Sequence, residues 1–196
     1  MKKYRISEIF TSVQGEGHNT GKVFVFVRFA GCNRQCSFCD TNHKSKATMT
    51  ADQIVRRVRK LWRGSSMPPN VLFTGGEPLI QLDQELLDKM PAGTYTAIET
   101  NGSITPQVCV DYVTCSPKVD NLRDAFGEKG VDELRYPIVA GDSIPQPNIH
   151  ADHYYLSPVF DGGLKIPDNV FTAINLVMEN PKWQLSIQTH KLVGVR

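Results

Sequence analysis

The sequence predicts an α/β fold with a mostly parallel sheet, in the form of a partial, open TIM-like barrel. Apolar, β-branched runs recur along the chain, and several are nearly continuous, as is typical of strands buried on both faces. Helical patterns lie between some of these runs, and this alternation predicts βαβ units. A complete eightfold barrel typically needs about 250 residues. Because the chain has 196 residues, we expect fewer βα units and a single domain, residues 1–196.

Seven runs rich in β-branched and aromatic residues predict strands, and the N-terminal segment is typical of a first strand before them. The seven runs are residues 22–30, 71–74, 95–99, 111–115, 134–139, 154–156 and 184–189.

Three helices are predicted between the strands. In the first, Thr50 and Gln53 make a capping box, and apolar residues follow at helical spacing, namely Ile54, Val55, Val58, Leu61 and Trp62. The second is short, over residues 82–90, and the third covers residues 170–178 and ends before Pro181. The opposite face of the first helix is basic, with Arg56, Arg57, Arg59, Lys60 and Arg63. Such a face can contact RNA, but a solvated helix face is the commoner meaning.

Composition excludes several classes of partner. The net charge of +2 is too small to indicate nucleic acid or a membrane surface by itself. The longest apolar runs, such as residues 23–27, are far too short to span a bilayer. The N-terminal segment lacks the apolar region and cleavage site of a signal peptide. We therefore expect a cytoplasmic protein without membrane or direct nucleic-acid partners.

The cysteines indicate a metal centre. There are five, and three of them, Cys32, Cys36 and Cys39, lie within eight residues. In a chain without an export signal, this pattern favours metal binding over disulfides. Cys109 and Cys115 lie in strand-like surroundings, and we expect both to be small buried residues.

Unusual polar segments follow four of the predicted strands. They are the cysteine loop, the GGEP segment at residues 75–78, the TNG segment at 100–102 and the SPK segment at 116–118. In α/β barrels and sheets, ligands bind at the carboxyl ends of the strands. The four segments should therefore converge on one face as an active site.

The C-x3-C-x2-C spacing of the cysteine loop fits a 4Fe-4S cluster with one iron free of protein ligands. Electron-transfer clusters normally have four cysteine ligands, and an open coordination position generally marks catalysis. The alternative is a zinc site with His43 as the fourth ligand, but a second paired-ligand element is missing from the sequence. Phe38 before the last cysteine and the downstream GGEP segment favour the cluster.

The loop resembles the signature of radical S-adenosylmethionine (SAM) enzymes, in which SAM chelates the open iron through its amino and carboxylate groups. This resemblance implies that Phe38 lies near the adenine of SAM. It also implies that Gly75, Gly76 and Glu77 receive the SAM amino group, because glycines allow close backbone approach and a carboxylate pairs with an ammonium.

A narrower resemblance runs nearly end to end. Residues 8–17, 28–33, 39–41, 99–102, 116–118 and 183–191 resemble 7-carboxy-7-deazaguanine synthase. That family implies a radical ring contraction of 6-carboxy-5,6,7,8-tetrahydropterin to 7-carboxy-7-deazaguanine with loss of ammonia, in 7-deazapurine (queuosine-type) biosynthesis. It also implies SAM, the cluster and Mg2+ as cofactors, and a homodimer.

Roles for further residues follow from this second resemblance. It implies Thr41 as a Mg2+ ligand; SAM contacts at Gly102, Ser116, Pro117 and Lys118; and substrate contacts at Val13, Gln14, Gly15, Glu16, Arg28 and Thr100. A planar guanidinium such as that of Arg28 suits bidentate capture of a carboxylate.

The C-terminal residues complete the expected site. Gln188 and His190 would alternate along a late strand and face one side of the sheet, with a structural histidine as the alternative for His190. The family often ends in Gly-Ile-Pro, whose terminal residue approaches the substrate, whereas this chain ends at Arg196.

Two other functions compete with this interpretation. A glycyl-radical activase shares the cysteine spacing, but it would not explain residues 14–17 or 188–190. A non-catalytic iron–sulfur or zinc protein would leave the GGEP segment without purpose. The physiological reductant is open, and a flavodoxin suits a low-potential cluster.

Overall fold

The computed structural model describes residues 2–39, 41–62, 66–161 and 164–195. The strands in these residues are β1 (Lys3–Val13), β2 (Val23–Phe29), β3 (Ala47–Thr50), β4 (Asn70–Gly75), β5 (Tyr95–Thr100), β6 (Tyr112–Cys115), β7 (Val131–Ile138), β8 (Ala151–Pro158), β9 (Phe160–Asp161), β10 (Leu164–Lys165) and β11 (Gln184–Leu185). The helices are α1 (Ala51–Leu61), α2 (Gln84–Asp88), α3 (Arg123–Phe126), α4 (Pro167–Glu179) and α5 (Thr189–Leu192), with a 3-10 turn at Pro78–Ile80.

Nine strands form one sheet in the order β11-β8-β7-β6-β5-β4-β2-β1-β3. All neighbours from β11 to β2 are parallel, whereas β1 is antiparallel to both β2 and β3. The sheet has two free ends, β11 and β3, and is not closed. The predicted open, mostly parallel architecture is therefore confirmed, and the single-domain assignment stays a prediction.

Alternating side chains on the central strands build two separate cores. On β2, Val25, Val27 and Phe29 pack with α1 and α2, while Phe24 and Phe26 face the opposite side with Leu72 and Ala97. This two-sided burial explains why the central strands appear as continuous apolar runs. A third cluster seats α4 and Trp183 against β7 and β8.

The predicted first helix is confirmed, including its cap. Thr50 Oγ1 accepts from the Gln53 amide, and the Gln53 side chain accepts from the Thr50 amide. Its basic residues Arg56, Arg57, Arg59 and Lys60 are exposed, and Arg63 lies outside the described residues. The two other helices are also confirmed, although α2 has only five residues.

The predicted late strand over residues 184–189 is wrong beyond its first two residues. Parallel pairing with β8 ends at Leu185, and the Thr189 amide and hydroxyl donate to Gly15 O at 3.1 and 2.8 Å. These hydrogen bonds attach the chain to the connection between β1 and β2, and the chain then continues as α5. β3, α3 and the β9–β10 hairpin had no counterpart among the predicted elements.

One cysteine prediction is confirmed and one is wrong. Cys115 is fully buried, whereas Cys109 is exposed on the connection that precedes β6. No helix in the described part of the chain combines the length and apolar character that crossing a bilayer requires.

Candidate active site

One cleft lies over the carboxyl ends of the parallel strands, and all four predicted polar segments line it. Each segment follows a strand of the sheet: the cysteine loop follows β2, the glycine turn β4, the TNG turn β5 and the SPK segment β6. The predicted residues that line the cleft are Val13, Glu16, Arg28, Cys32, Cys36, Phe38, Cys39, Thr41, Gly75, Gly76, Thr100, Ser116, Lys118, Gln188 and His190. The predicted convergence on one face is confirmed.

The cysteine loop is held by backbone hydrogen bonds at both ends. The Gly31 amide donates to His43 O at 2.9 Å, and Gly31 O accepts from the Glu77 amide at 3.0 Å. The sulfurs of Cys32, Cys36 and Cys39 are free thiols, and all three residues line the cleft. Three thiols at one cleft are a donor set that fits an iron–sulfur cluster with an open position.

The zinc alternative finds little support in this geometry. His43, which would have to be the fourth ligand, is not among the cleft-lining residues.

The glycine turn after β4 packs directly on the cysteine loop. A Cβ on Gly76 would lie 1.9 Å from Gly31 O and 2.9 Å from Cys32 Cβ. Gly75 has φ +127°, a conformation that side chains other than glycine rarely adopt. Both glycines are therefore required for the loop and the turn to meet.

The carboxylate of Glu77 does not lie in the cleft, which corrects the expectation that it pairs with the SAM ammonium. The residue is fully buried, and its carboxylate accepts from the Thr100 hydroxyl at 2.9 Å and the Asn101 amide at 2.8 Å. It also accepts from the Leu79 amide at 3.1 Å. Burial raises the pKa of Glu77 against these hydrogen bonds. Glu77 therefore ties the turn after β4 to the turn after β5.

Two expected SAM contacts also lie outside the cleft lining. Gly102 has φ +81°, and a Cβ there would meet Leu122 and Cys115 at 2.7 and 2.9 Å, so its α-carbon packs inward. Pro117 is half-buried between Ser116 and Lys118, which both line the cleft.

Lys118 brings a positive charge beside the cysteine loop. Its Nζ donates to Ser116 O and Oγ, each at 2.9 Å, and lies 5.5 Å from the centre of the Phe38 ring. Burial lowers the pKa of Lys118. The SPK segment thus places the Lys118 ammonium, in a fixed orientation, beside Phe38 of the cysteine loop.

Arg28 also lines the cleft, and its orientation is fixed by hydrogen bonds. Its Nε donates to Glu8 Oε1 at 2.9 Å and its Nη1 to Thr41 Oγ1 at 3.3 Å. The guanidinium is 5.9 Å from the centre of the Phe10 ring. This arrangement brings the two residues expected to bind the substrate carboxylate and Mg2+ into contact.

In the loop after β1, Gln14 and Gly15 form hydrogen bonds within the protein. The Gln14 Nε2 donates to Glu99 Oε1 at 3.1 Å, and its Oε1 accepts from the Glu16 amide at 3.1 Å. The Gly15 carbonyl accepts from Thr189. Neither residue is among those that line the cleft, whereas Val13 and Glu16 are, and the expected substrate contacts of Gln14 and Gly15 stay a prediction.

Gln188 and His190 reach the cleft from the turn and helix α5 instead of from a strand. A Cβ on Gly15 would lie 2.0 Å from His190 Nδ1, so the ring sits directly on that glycine. Arg196 lies outside the described residues.

Comparison with known proteins shows which family the chain belongs to. Residues 26–134 match the radical SAM superfamily. A 7-carboxy-7-deazaguanine synthase of Bacteroides thetaiotaomicron is 40% identical over 193 residues, 98% of each chain. One of Haemophilus influenzae is 39% identical and covers 98% of this chain and 94% of its own.

The chain belongs to the 7-carboxy-7-deazaguanine synthase family. It is a radical SAM enzyme, and a 4Fe-4S cluster and SAM are its cofactors. The crystal structure of QueE from Escherichia coli has the same fold, with a TM-score of 0.67 at 23% identity over 94% of this chain and 93% of that one.

In this 7-carboxy-7-deazaguanine synthase family member, the floor of the cleft is a charged network that sequence reasoning missed. Arg135 Nη2 lies 2.6 Å from Glu99 Oε1, and its Nη1 lies 3.4 Å from Glu133 Oε1. The Thr74 hydroxyl donates to the other Glu99 oxygen at 3.0 Å. Glu133 and Arg135 are two residues apart on β7 and therefore lie on one face of the strand. This spacing was the available sequence signal for a charged pair.

Further missed residues complete the walls. The Ser157 hydroxyl donates to Glu16 Oε1 at 2.8 Å, which links the end of β8 to the loop after β1. The remaining additions to the lining are Phe10, Phe26, Arg34, Asn101, Pro137, Pro158, Val159 and Phe160.

The fit between the glycine turn and the cysteine loop gives a first prediction. Gly76→Ala should lose most of its reconstituted iron, because the new methyl group would overlap the backbone of Gly31. Iron content and the visible absorbance of the cluster measure this.

Gly21→Ala is the matched control. Gly21 has φ +88° but no atom within 4 Å of a Cβ, so strain of roughly 1 kcal/mol should leave iron content intact. Equal iron in Gly76→Ala and wild type would contradict the predicted overlap.

Proposed function

We propose that the protein converts 6-carboxy-5,6,7,8-tetrahydropterin to 7-carboxy-7-deazaguanine and ammonia. The observation that carries this proposal is a single cleft lined both by three free thiols and by an arginine whose orientation is fixed by Glu8 and Thr41. The conversion balances as loss of ammonia from the substrate, so no net oxidant or reductant is consumed by it.

The cysteine loop and the residues that contact it suit the cofactors. The thiols of Cys32, Cys36 and Cys39 would hold the cluster, which with bound SAM supplies the hydrogen-abstracting chemistry. The backbone of Gly75 and Gly76, where Gly76 packs on the cysteine loop, would receive the SAM amino group in place of the Glu77 carboxylate. The nearby Phe38 ring and Lys118 ammonium suit an adenine and a carboxylate, respectively.

A second set of lining residues suits the substrate. Glu8 accepts from Nε of Arg28 and Thr41 from one N–H of Nη1, and further N–H groups of the guanidinium would bind a substrate carboxylate. Thr41 would contribute one hydroxyl to Mg2+, which prefers oxygen ligands and keeps several waters. The Glu16 carboxylate at the cleft edge suits the guanidine-like edge of a pterin, and Thr100 and His190 line the space between.

Several partners belong to the same proposal. We infer a homodimer, a flavodoxin-type reductant and a cytoplasmic location from the family resemblance. The use of the product, in tRNA, DNA or a secondary metabolite, is a separate question.

The decisive experiment is an anaerobic assay of reconstituted protein with SAM, dithionite, Mg2+ and 6-carboxytetrahydropterin, read by mass spectrometry. We expect 7-carboxy-7-deazaguanine. Cleavage of SAM without this product, alongside an active control enzyme, would overturn the substrate and keep the cofactor chemistry.

Arg28→Lys should lower kcat/KM about 10- to 100-fold, because lysine keeps the charge but loses the planar pair of donors. Steady-state kinetics with varied substrate measure this loss, which should appear mainly in KM. Arg57→Lys on the exposed face of α1 is the matched control and should behave as wild type. An unchanged KM in Arg28→Lys would contradict the substrate role.

A further inference from the structure

Asn101 connects the turn after β5 to the cysteine loop. Its Nδ2 lies 3.0 Å from Asn33 Oδ1 and 3.9 Å from Cys32 Sγ. The residue is only 8% exposed. Because a buried amide needs partners for its donors, these contacts fix its place in the wall of the cleft.

The orientation of the Asn101 amide is determined by its other contacts. Its Oδ1 accepts from the Ser103 amide at 3.0 Å and the Ser103 hydroxyl at 2.5 Å. A flipped amide would set donor against donor, so Nδ2 has to face the cysteine loop. The backbone amide of Asn101 is held in turn by the buried Glu77 carboxylate at 2.8 Å.

We propose that Asn101 is a positioning residue for the iron–sulfur cluster. Asn101 donates an N–H···S hydrogen bond to the Cys32 sulfur, and this bond makes the reduction potential of the cluster less negative. The inference rests on the ligand role proposed above for Cys32. It does not depend on the identity of the substrate.

The direction of the effect follows from charge. The Cys32 sulfur receives a second donor, the Arg34 backbone amide at 3.4 Å. Hydrogen bonds to ligand sulfurs are among the factors that set cluster potentials. A donor at the sulfur stabilises negative charge, and the reduced cluster carries one more negative charge than the oxidised one.

Asn101→Leu tests the proposal, because leucine has nearly the same shape and no donor. Ser103→Ala is the matched control: it removes the hydroxyl contacts to the Asn101 oxygen and to Asn33 Nδ2, but the Ser103 backbone amide still holds the Asn101 oxygen and Nδ2 still faces the sulfur. Both proteins would be reconstituted anaerobically, and the midpoint potential would be measured by redox titration with EPR detection. We expect a more negative potential for Asn101→Leu than for wild type, with Ser103→Ala close to wild type. A wild-type potential in Asn101→Leu at full iron content would overturn the proposal.

A second pair of variants decides the matter if Asn101→Leu does not assemble a cluster. Asn101→Asp keeps an oxygen for Ser103 and replaces the donor that faces the sulfur. Ser103→Asp adds a similar charge nearby without removing that donor. We expect the larger negative shift in Asn101→Asp, and equal shifts would overturn the proposal.

The test separates this inference from the proposed function. Wild-type protein that binds no iron would overturn the ligand role of the cysteines and this inference with it. A normal cluster without 7-carboxy-7-deazaguanine formation would overturn only the substrate.

Discussion

Cys36→Ala should abolish both the 4Fe-4S cluster and product formation. Three thiols line the cleft among the described residues, so the loss of one leaves two protein ligands for a cluster that already has an open iron. We expect iron content near background after reconstitution and product below detection. Iron analysis, visible absorbance and mass spectrometry of the reaction measure these outcomes.

Cys109→Ala is the matched control for this prediction. Cys109 is exposed and absent from the cleft lining, so the same change there should leave iron and product unaffected. A stable cluster and normal turnover in Cys36→Ala would show that the cluster is held elsewhere. If Cys109→Ala lost iron as well, a non-specific folding defect would explain both variants.

The sequence was sufficient to predict the layout of the site. Parallel strands place all their carboxyl ends at one edge, so motifs that follow strands must meet once the strands are recognised. The runs at residues 71–74 and 95–99 were recognisable because burial on both faces makes their central residues mostly apolar. The motif residues Cys36, Gly76 and Lys118 therefore line the cleft as expected.

Side-chain partners could not be predicted in the same way. Membership of a motif does not say which atoms face the ligand, and Glu77 and Gln14 have partners that are 23 and 85 residues away in sequence. The pairing of β11 with β8 ends at Leu185 although β8 continues to Pro158, and the turn that follows is held by the Gly15 carbonyl. These are tertiary contacts, which local propensity does not encode.

Disruption of the charged network at the floor of the cleft should have the largest effect on the free energy of unfolding. Arg135 is 8% exposed in its side chain and lies between Glu99, 22% exposed, and Glu133, 1% exposed. Removing one member of a buried ion pair typically costs about 3–5 kcal/mol, because a buried charge loses its partner. Arg135→Met should therefore lower the free energy of unfolding by roughly 3 kcal/mol at neutral pH.

Arg123→Met provides the matched control in urea denaturation. Arg123 pairs with Glu128 at 3.5 Å, but the two side chains are 59% and 88% exposed. Exposed pairs contribute roughly 0–1 kcal/mol, so this variant should remain close to wild type. Equal destabilisation by the two substitutions would contradict the importance of the buried network.

The pH dependence of the Arg135→Met effect tests its electrostatic origin. Burial alone would raise the pKa of Glu99, but the charge of Arg135 and hydrogen bonds from Arg135, Thr74 and Gln14 hold this pKa below its usual value. In the wild type, the stability that Glu99 contributes is present above the ordinary glutamate pKa of about 4.3 and is lost as the pH falls through the lowered pKa.

Without Arg135, burial should raise the pKa of Glu99, so the variant loses stability as the pH rises through that value. The pKa of Glu133 is already raised by burial despite Arg135, and it should rise further for the same reason. Destabilisation by Arg135→Met should therefore be larger at pH 7.5 than at pH 5. If it were the same at both pH values, lost packing by the arginine side chain, and not an unpaired buried carboxylate, would account for the effect.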